Sequence, residues 1–170
     1  MSIAERAVEQ VKALFPDQVL SAEVSAGQPF VCVKREKSKD ILTYLRHDEE
    51  LSFDVCIDIT SADYLNQGAP ERFAVVYNLL SLKNNGYFRV KVFVPEDDPT
   101  IESVAELWKC APWAEREVFD LMGIEFKNHP DLRRILLPDY YTGHPMRKDY
   151  PLRGMGERDN FPRYVGEENA

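Results

Sequence analysis

The sequence is poor in the residues that build self-contained redox or metal sites. Its 170 residues include three cysteines and three histidines. Cys32, Cys56 and Cys110 are far apart and form no C-x-x-C pair, so no iron–sulfur or structural zinc motif is present. Three scattered thiols fit a reducing compartment. No Gly-rich phosphate loop follows a strand, and there is no G-x-S-x-G elbow. No apolar run approaches the ~20 residues of a membrane span, and the N-terminus lacks a basic-then-apolar leader. Positive charge is also short: 21 Lys+Arg stand against 29 Asp+Glu, a net of −8, which argues against a general nucleic-acid binder.

What is present suits one ordinary domain. Hydrophobic residues make up 44% and charged residues 29%, enough apolar material for a core at this length. The charge is uneven. Residues 1–126 hold 13 Lys+Arg and 22 Asp+Glu, whereas Lys127, Arg133, Arg134, Arg147, Lys148 and Arg153 outnumber Asp131, Asp139 and Asp149. An acidic body therefore carries a basic strip. A charge-matched protein interface is the better reading of that strip than phosphate binding.

The chain reads as α+β. Ser2-x-x-Glu5 is a capping box opening a helix that Pro16 stops. Val19–Val24 and Phe30–Val33 read as strands around Gly27-Gln28-Pro29, and Ser38–His47 as a second helix. Leu51, Phe53, Val55, Ile57 and Ile59 alternate with polar residues, the pattern of a half-buried strand with Asp54 and Asp58 outward. Arg72–Leu82 and Tyr87–Val94 form a hairpin about Asn84-Asn85-Gly86. Asp97-Asp98-Pro99-Thr100 predicts a helix through about Trp108, and Pro112 another to Met122, ended by Gly123. The expected architecture is two-layer, a mixed sheet with helices mainly on one face. Residues 1–138 form the domain, with segment 113–136 at its end. Residues 139–170 form an extended, irregular tail for partner docking, broken by Pro and Gly and spaced with Tyr140, Tyr141, Tyr150, Phe161 and Tyr164. That tail is expected to contribute little to the fold of the body.

The segment WAEREVFDLMGIEFKNHPDLRRIL, Trp113–Leu136, mixes both charges with large apolar residues. On a helical wheel Arg116, Glu117 and Asp120 share one side, while Trp113, Val118, Leu121 and Met122 cover most of the rest. Glu115 falls in the apolar arc. Two readings stand for it: an acid favoured by the helix dipole in the first turn, or a partly buried carboxylate paired with Arg133 or Arg134. A glycosidase-type acid–base pair is disfavoured, because Glu115 and Glu117 lie two residues apart and point different ways. His129 has no partner at metal-ligand spacing, so a polar histidine held in a loop is the better reading. Residue chemistry alone thus gives a compact domain with a tail for a partner and no self-contained catalytic site.

The same stretch resembles a family signature. Glu115-Arg116-Glu117, Asp120-Leu121-Met122-Gly123-Ile124, Phe126, His129-Pro130 and Leu132-Arg133-Arg134-Ile135-Leu136 resemble the motif of the 30-kDa subunit, also called the C subunit, of NADH:quinone oxidoreductase (respiratory complex I). Gly143-His144-Pro145-Met146-Arg147-Lys148-Asp149-Tyr150-Pro151 resembles that family's second motif at the right spacing. Met122 and Met146 stand where Phe and Leu are most usual, both volume-tolerant exchanges. The chain's end soon after the second block points away from the longer form that is fused to the D subunit.

The resemblance implies a cofactor-free subunit of the hydrophilic arm, beside the quinone-reducing module. Flavin and iron–sulfur clusters are expected in partner subunits, with subunits B, D and I as neighbours. It implies attachment to the membrane only through the complex, with the signature charges pinning neighbouring subunits; the lack of an Arg- and Ser-rich leader points to the cytoplasmic side of a bacterial inner membrane, a processed organellar chain being the alternative. The corresponding subunit of a membrane-bound hydrogenase or ferredoxin-type oxidoreductase is the alternative within the class. A small nucleic-acid module and a small hydrolase are alternatives outside it.

Overall fold

The structure is a computed structural model and describes residues 2–157. Helix α1 (Ile3–Leu14) opens with the capping box: Glu5 N–H donates to Ser2 Oγ, and Ser2 N–H to Glu5 Oε2. The pair β1 (Val19–Ser25) and β2 (Gln28–Lys34) follows, then α2 (Ser38–His47). Three nine-residue strands come next: β3 (Val55–Asp63), β4 (Phe73–Ser81) and β5 (Gly86–Val94). A short β6 (Thr100–Glu102), helix α3 (Ala111–Met122) and β7 (Glu125–Lys127) complete the regular elements.

The main sheet has the order β1-β2-β5-β4-β3. β2 and β5 run parallel and the other pairs antiparallel, so the sheet is mixed. Strand alternation divides β4 between two faces. Phe73, Val75, Tyr77 and Leu79 join the cluster that receives Ala7 and Val11 of α1, Ile41, Leu42 and Leu45 of α2, and Val118 and Met122 of α3. Ala74 points the other way, to a small cluster with Phe30, Cys32 and Phe93 under the loop residues Tyr64 and Ala69. This is the expected two-layer α+β arrangement with the helices on one face.

Three expectations are corrected. The segment Asp97–Trp108 is not a helix: Thr100–Glu102 pairs in parallel with Glu125–Lys127 and makes a separate two-stranded sheet. Strand β3 begins at Val55, so Leu51 and Phe53 are buried from the turn and irregular segment that precede it rather than from a strand. A register shift between Cys56 and Asp58 breaks the alternation, and Ile57, expected inside, is 49% exposed.

Residues 139–157 are irregular, as expected, but they are fastened to the body by side-chain and backbone hydrogen bonds. Tyr141 is buried, and its hydroxyl lies 2.6 Å from that of Tyr150. The expectation of a segment adding little to the body is corrected to this extent, because its contacts satisfy polar groups of α3 and β3. The anchors expected at Phe161 and Tyr164 lie outside the described residues.

Candidate functional site

Helix α3 positions the signature. Cys110 is its N-cap, Pro112 stands in the first turn, and Gly123 ends it with φ +70°. Glu115, Arg116 and Asp120 turn inward and are buried; Glu117 is exposed. Trp113 is 62% exposed and carries the Arg116 guanidinium 5.2 Å from its ring centre.

Arg116 and Asp120 grip the backbone of residues 133–137. Arg116 Nε donates to the Arg133 carbonyl at 3.0 Å and Nη2 to that of Arg134 at 2.9 Å. Asp120 Oδ2 accepts the N–H groups of Ile135, Leu136 and Leu137 at 3.0, 2.8 and 2.8 Å. Its Oδ1 accepts from Arg134 Nη1 at 2.6 Å. The segment has no strand partner, so one helix face supplies the hydrogen bonds a ladder would otherwise provide. Burial pushes the Asp120 pKa up, but the bonds from Leu137, Arg134, Ile135 and Leu136 outweigh burial and hold it below the ordinary carboxylate value.

The second motif caps the C-terminus of α3. A helix leaves its last carbonyls unpaired and its end partially negative. His144 Nδ1 lies 3.0 Å from the Asp120 carbonyl, Met146 N–H donates to Leu121 at 3.1 Å, and Arg147 Nε to Met122 at 2.7 Å. A carbonyl only accepts, so the His144 ring proton sits on Nδ1. Burial lowers the pKa of His144, and the charges of Arg147 and Arg134 add to that. Gly123 makes the close approach possible. A Cβ there would stand 2.5 Å from His144 Cδ2 and 2.7 Å from Arg147 Nη2. Gly143 is equally tight, since a Cβ would meet Tyr150 Cε2 at 2.6 Å.

Glu115 occupies the other end of α3 and is fully buried. It pairs with neither Arg133 nor Arg134. Ser103 Oγ donates to Oε2 at 2.6 Å and Val104 N–H to Oε1 at 2.7 Å, which ties the chain after β6 to α3. Desolvation raises its pKa to about 7 against these two donors. His129 Nε2 lies 3.8 Å from Oε2 and 3.1 Å from the Pro112 carbonyl, and its Nδ1 accepts from Asp131 N–H at 3.0 Å. This is the loop-held polar histidine the sequence suggests, with the ring proton on Nε2.

The remaining signature residues face outward. Pro130, Lys148 and Asp149 are exposed. Arg133 is 71% exposed and meets only Asp131 at 2.9 Å. Glu117 lines a groove of about 170 Å³ between β3 and α3 with Asp58, Met122 and Met146. Pro145 is half-buried beside Tyr141 and Tyr150, at a second hollow. The basic strip is thus divided: Arg134 and Arg147 serve the fold, while Arg133 and Lys148 reach solvent.

One centre escapes the sequence reading. Arg72 is enclosed and meets Asp63 at 3.0 Å, Asp149 at 2.7 Å and Glu96. Asp63 also accepts Lys148 N–H at 2.9 Å. The guanidinium groups of Arg72 and Arg147 both lie on the Phe73 ring, 4.8 and 5.0 Å from its centre. No motif spacing marks residues 63, 72 and 149 as partners. Among the described residues, no group of three or more His, Cys, Asp or Glu is placed to hold a metal ion.

Fold and site together define an α+β domain whose third helix is locked at both ends by its own signature residues. The solved trypsin-resistant fragment (1–134) of Nqo5 shares this fold, with TM-score 0.67 and 38% identity, covering 76% of this chain and 99% of that one. A chain of the archaeal membrane-bound sulfane sulfur reductase, a respiratory membrane complex, superposes with TM-score 0.71 over 96% of this chain and 95% of that one; at 21% identity it shows the fold alone. Residues 31–156 match the family of the respiratory-chain NADH dehydrogenase 30 Kd subunit, and the chain belongs to it. The C subunit of NADH-quinone oxidoreductase from Geobacter sulfurreducens is 47% identical over 154 residues, 91% of this chain and 93% of the relative. The protein of the same name from Paraburkholderia xenovorans is 42% identical over 163 residues, 93% of this chain and 80% of the relative. These relatives favour the quinone oxidoreductase over the hydrogenase alternative.

Proposed function

We propose that this chain is an assembly subunit of an NADH–quinone oxidoreductase and takes no direct part in the chemistry. The observation that carries this reading is the use made of the signature. Asp120, Arg116, Arg134, His144 and Arg147 are engaged with the chain's own backbone. Glu115 is closed off from solvent. None of these groups is left pointing into an open cleft where a substrate could meet it. The signature builds a rigid platform, and Glu117, Arg133 and Lys148 on its rim are the charges left for neighbouring subunits.

In this reading the flavin and iron–sulfur clusters reside in partner subunits, of which B, D and I are the expected neighbours. The complex holds the chain on the cytoplasmic side of a bacterial inner membrane. No helix among the described residues is long and apolar enough to cross a membrane. Residues 139–170 serve docking, and residues 1–138 fold as the domain. The relative Nqo5 supports that boundary, since its fragment 1–134 is trypsin-resistant and superposes on most of this chain. Affinity capture of the tagged chain from membranes tests the proposal. Co-purification of NADH–quinone reductase activity, with flavin and iron assigned to other subunits, is the expected result. Stoichiometric flavin or iron on this chain after its separation would overturn it.

A further inference from the structure

Two of the three cysteines meet away from the signature's hydrogen-bond network. Cys56 lies on β3 at the register shift and is buried; Cys110 is the N-cap of α3 and is exposed. Cys110 Sγ donates to the Cys56 carbonyl oxygen at 3.1 Å, which sets the exposed thiol against the backbone of the buried cysteine, whose own Sγ donates to the Asp58 carbonyl at 3.6 Å. Helix capping does not account for a thiol at this position. Cys110 makes no side-chain cap bond, and Ser, Thr, Asp or Asn would serve the helix better. Cys32 is remote from both, buried on the opposite face of the sheet.

We propose that Cys56 and Cys110 are an oxidisable dithiol that closes an intrachain disulfide when a peroxide reaches Cys110. The order of events follows from exposure. Peroxide meets Cys110 first: an S–O bond forms, the O–O bond breaks, and one water leaves with the thiol proton. The Cys56 thiol then attacks the sulfenic sulfur. The S–S bond forms, the S–O bond breaks, and a second water leaves with the Cys56 proton. Two thiols lose two electrons in all, and one hydrogen peroxide becomes two waters. Burial and the neighbouring Cys110 raise the Cys56 pKa well above the ordinary thiol value. Cys56 is buried, so it meets the sulfenic sulfur of Cys110 and not the peroxide in solvent. The new bond would tie the start of α3, one turn before Glu115, to β3 of the main sheet.

The test uses the full chain, reduced, then treated with hydrogen peroxide, alkylated under denaturing conditions and weighed. The expected product is 2 Da lighter before alkylation, with one alkylatable thiol, Cys32, in place of three. A peptide pair linked through Cys56 and Cys110 is expected, with a higher melting temperature that dithiothreitol returns to its starting value. At the peptide level, Cys56→Ser should gain 16 or 32 Da at Cys110 with no cross-link, and Cys110→Ser should gain no oxygen at Cys56 and form no cross-link, oxidation of the exposed Met146 and Met155 being counted separately. Oxygen added at Cys110 of the unaltered chain without the lighter species, or three alkylatable thiols surviving peroxide, overturns the proposal.

Discussion

Asp120 and Arg134 lie 2.6 Å apart, the carboxylate fully buried and the guanidinium nearly so. The pair does more than join two charges. Asp120 simultaneously holds three consecutive N–H groups, and Arg134 Nη2 reaches the Gly143 carbonyl at 3.3 Å. Asp120→Asn keeps the shape but places an amide donor where only donors arrive. It is expected to cost ~3–5 kcal/mol, the range for breaking a buried pair on one side. Urea unfolding of the two proteins measures this, and a loss below ~1 kcal/mol, the range of an exposed pair, would show that the clamp is solvated.

The two neighbouring arginines should part company. Lys at position 134 keeps a charge for Asp120 but loses the planar fork that also serves Gly143 and lies 5.9 Å over Tyr141. Arg134→Lys is therefore expected to lower stability and weaken incorporation into the complex. Arg133 meets only an exposed carboxylate two residues away, an arrangement worth ~0–1 kcal/mol. Arg133→Lys should leave the melt unchanged. Equal losses from both substitutions would contradict this division.

How much of this was legible in the sequence depends on the range of the interaction. The capping box, the Asn84–Gly86 turn and the stop at Gly123 are local, and local chemistry marks them. The wheel of α3 placed Asp120 beside Arg116 but could not say that both would grip residues 133–137, because that segment has no periodicity of its own. Pro99-Thr100 looks like a helix start; pairing with a strand 25 residues later overrides it. Ile57 reads as a core residue until a bulge in the pairing with β4 turns it outward. The Arg72 centre draws on Asp63, Glu96 and Asp149, residues 9, 24 and 77 positions away, and no single-sequence pattern reports such a meeting. Glu115 was correctly suspected of burial, yet its partners proved to be Ser103 and a backbone N–H.

Gly123 and Gly68 allow conformation to be separated from contact. Both adopt left-handed backbone, φ +70° and +69°, but a Cβ at 68 meets nothing within 4 Å whereas one at 123 strikes His144 and Arg147. Gly68→Ala should cost the conformational penalty alone, ~1–2 kcal/mol. Gly123→Ala should cost clearly more and should displace the His144 ring, visible as a shifted imidazole resonance. Matching losses would mean that the second motif yields freely around α3.

Glu115 predicts a pH dependence of definite sign. Its folded pKa, about 7, lies above the ordinary value of 4.5 because of burial. Between those limits the folded chain binds the proton more tightly than the unfolded chain. The stabilisation is complete below about pH 4.5 and is lost as pH rises through 7, by up to ~3 kcal/mol. Asp120 acts oppositely, its depressed pKa adding stability above 3.8 that disappears as the acid is protonated. Glu115→Gln should therefore flatten the fall in stability between about pH 5 and 8. The pH profiles of urea midpoints for the two proteins check it, and parallel profiles would exclude Glu115 as the source.

Truncation at Pro138 tests the boundary between domain and docking segment. The main core cluster lies within residues 4–126, so a chain ending at Pro138 should retain a cooperative melt. It should nevertheless be weaker than the full chain. His144, Met146 and Arg147 would no longer cap the last carbonyls of α3, and Arg72 would lose Asp149. Three hydrogen bonds at ~1 kcal/mol each predict a loss of ~2–4 kcal/mol. For a domain of this size each kcal/mol lowers the melting temperature by about 3 °C. Restoring residues 139–157 should recover most of that loss, because those residues carry the contacts to α3 and β3. Incorporation into the membrane-bound complex should fail for the truncated chain even well below its melting temperature, since the segment we propose for docking is gone. Full assembly of the truncated chain would leave the rim of α3, Glu117 and Arg133, as the docking surface. A broad, non-cooperative melt would place residues 139–157 within the folding unit itself.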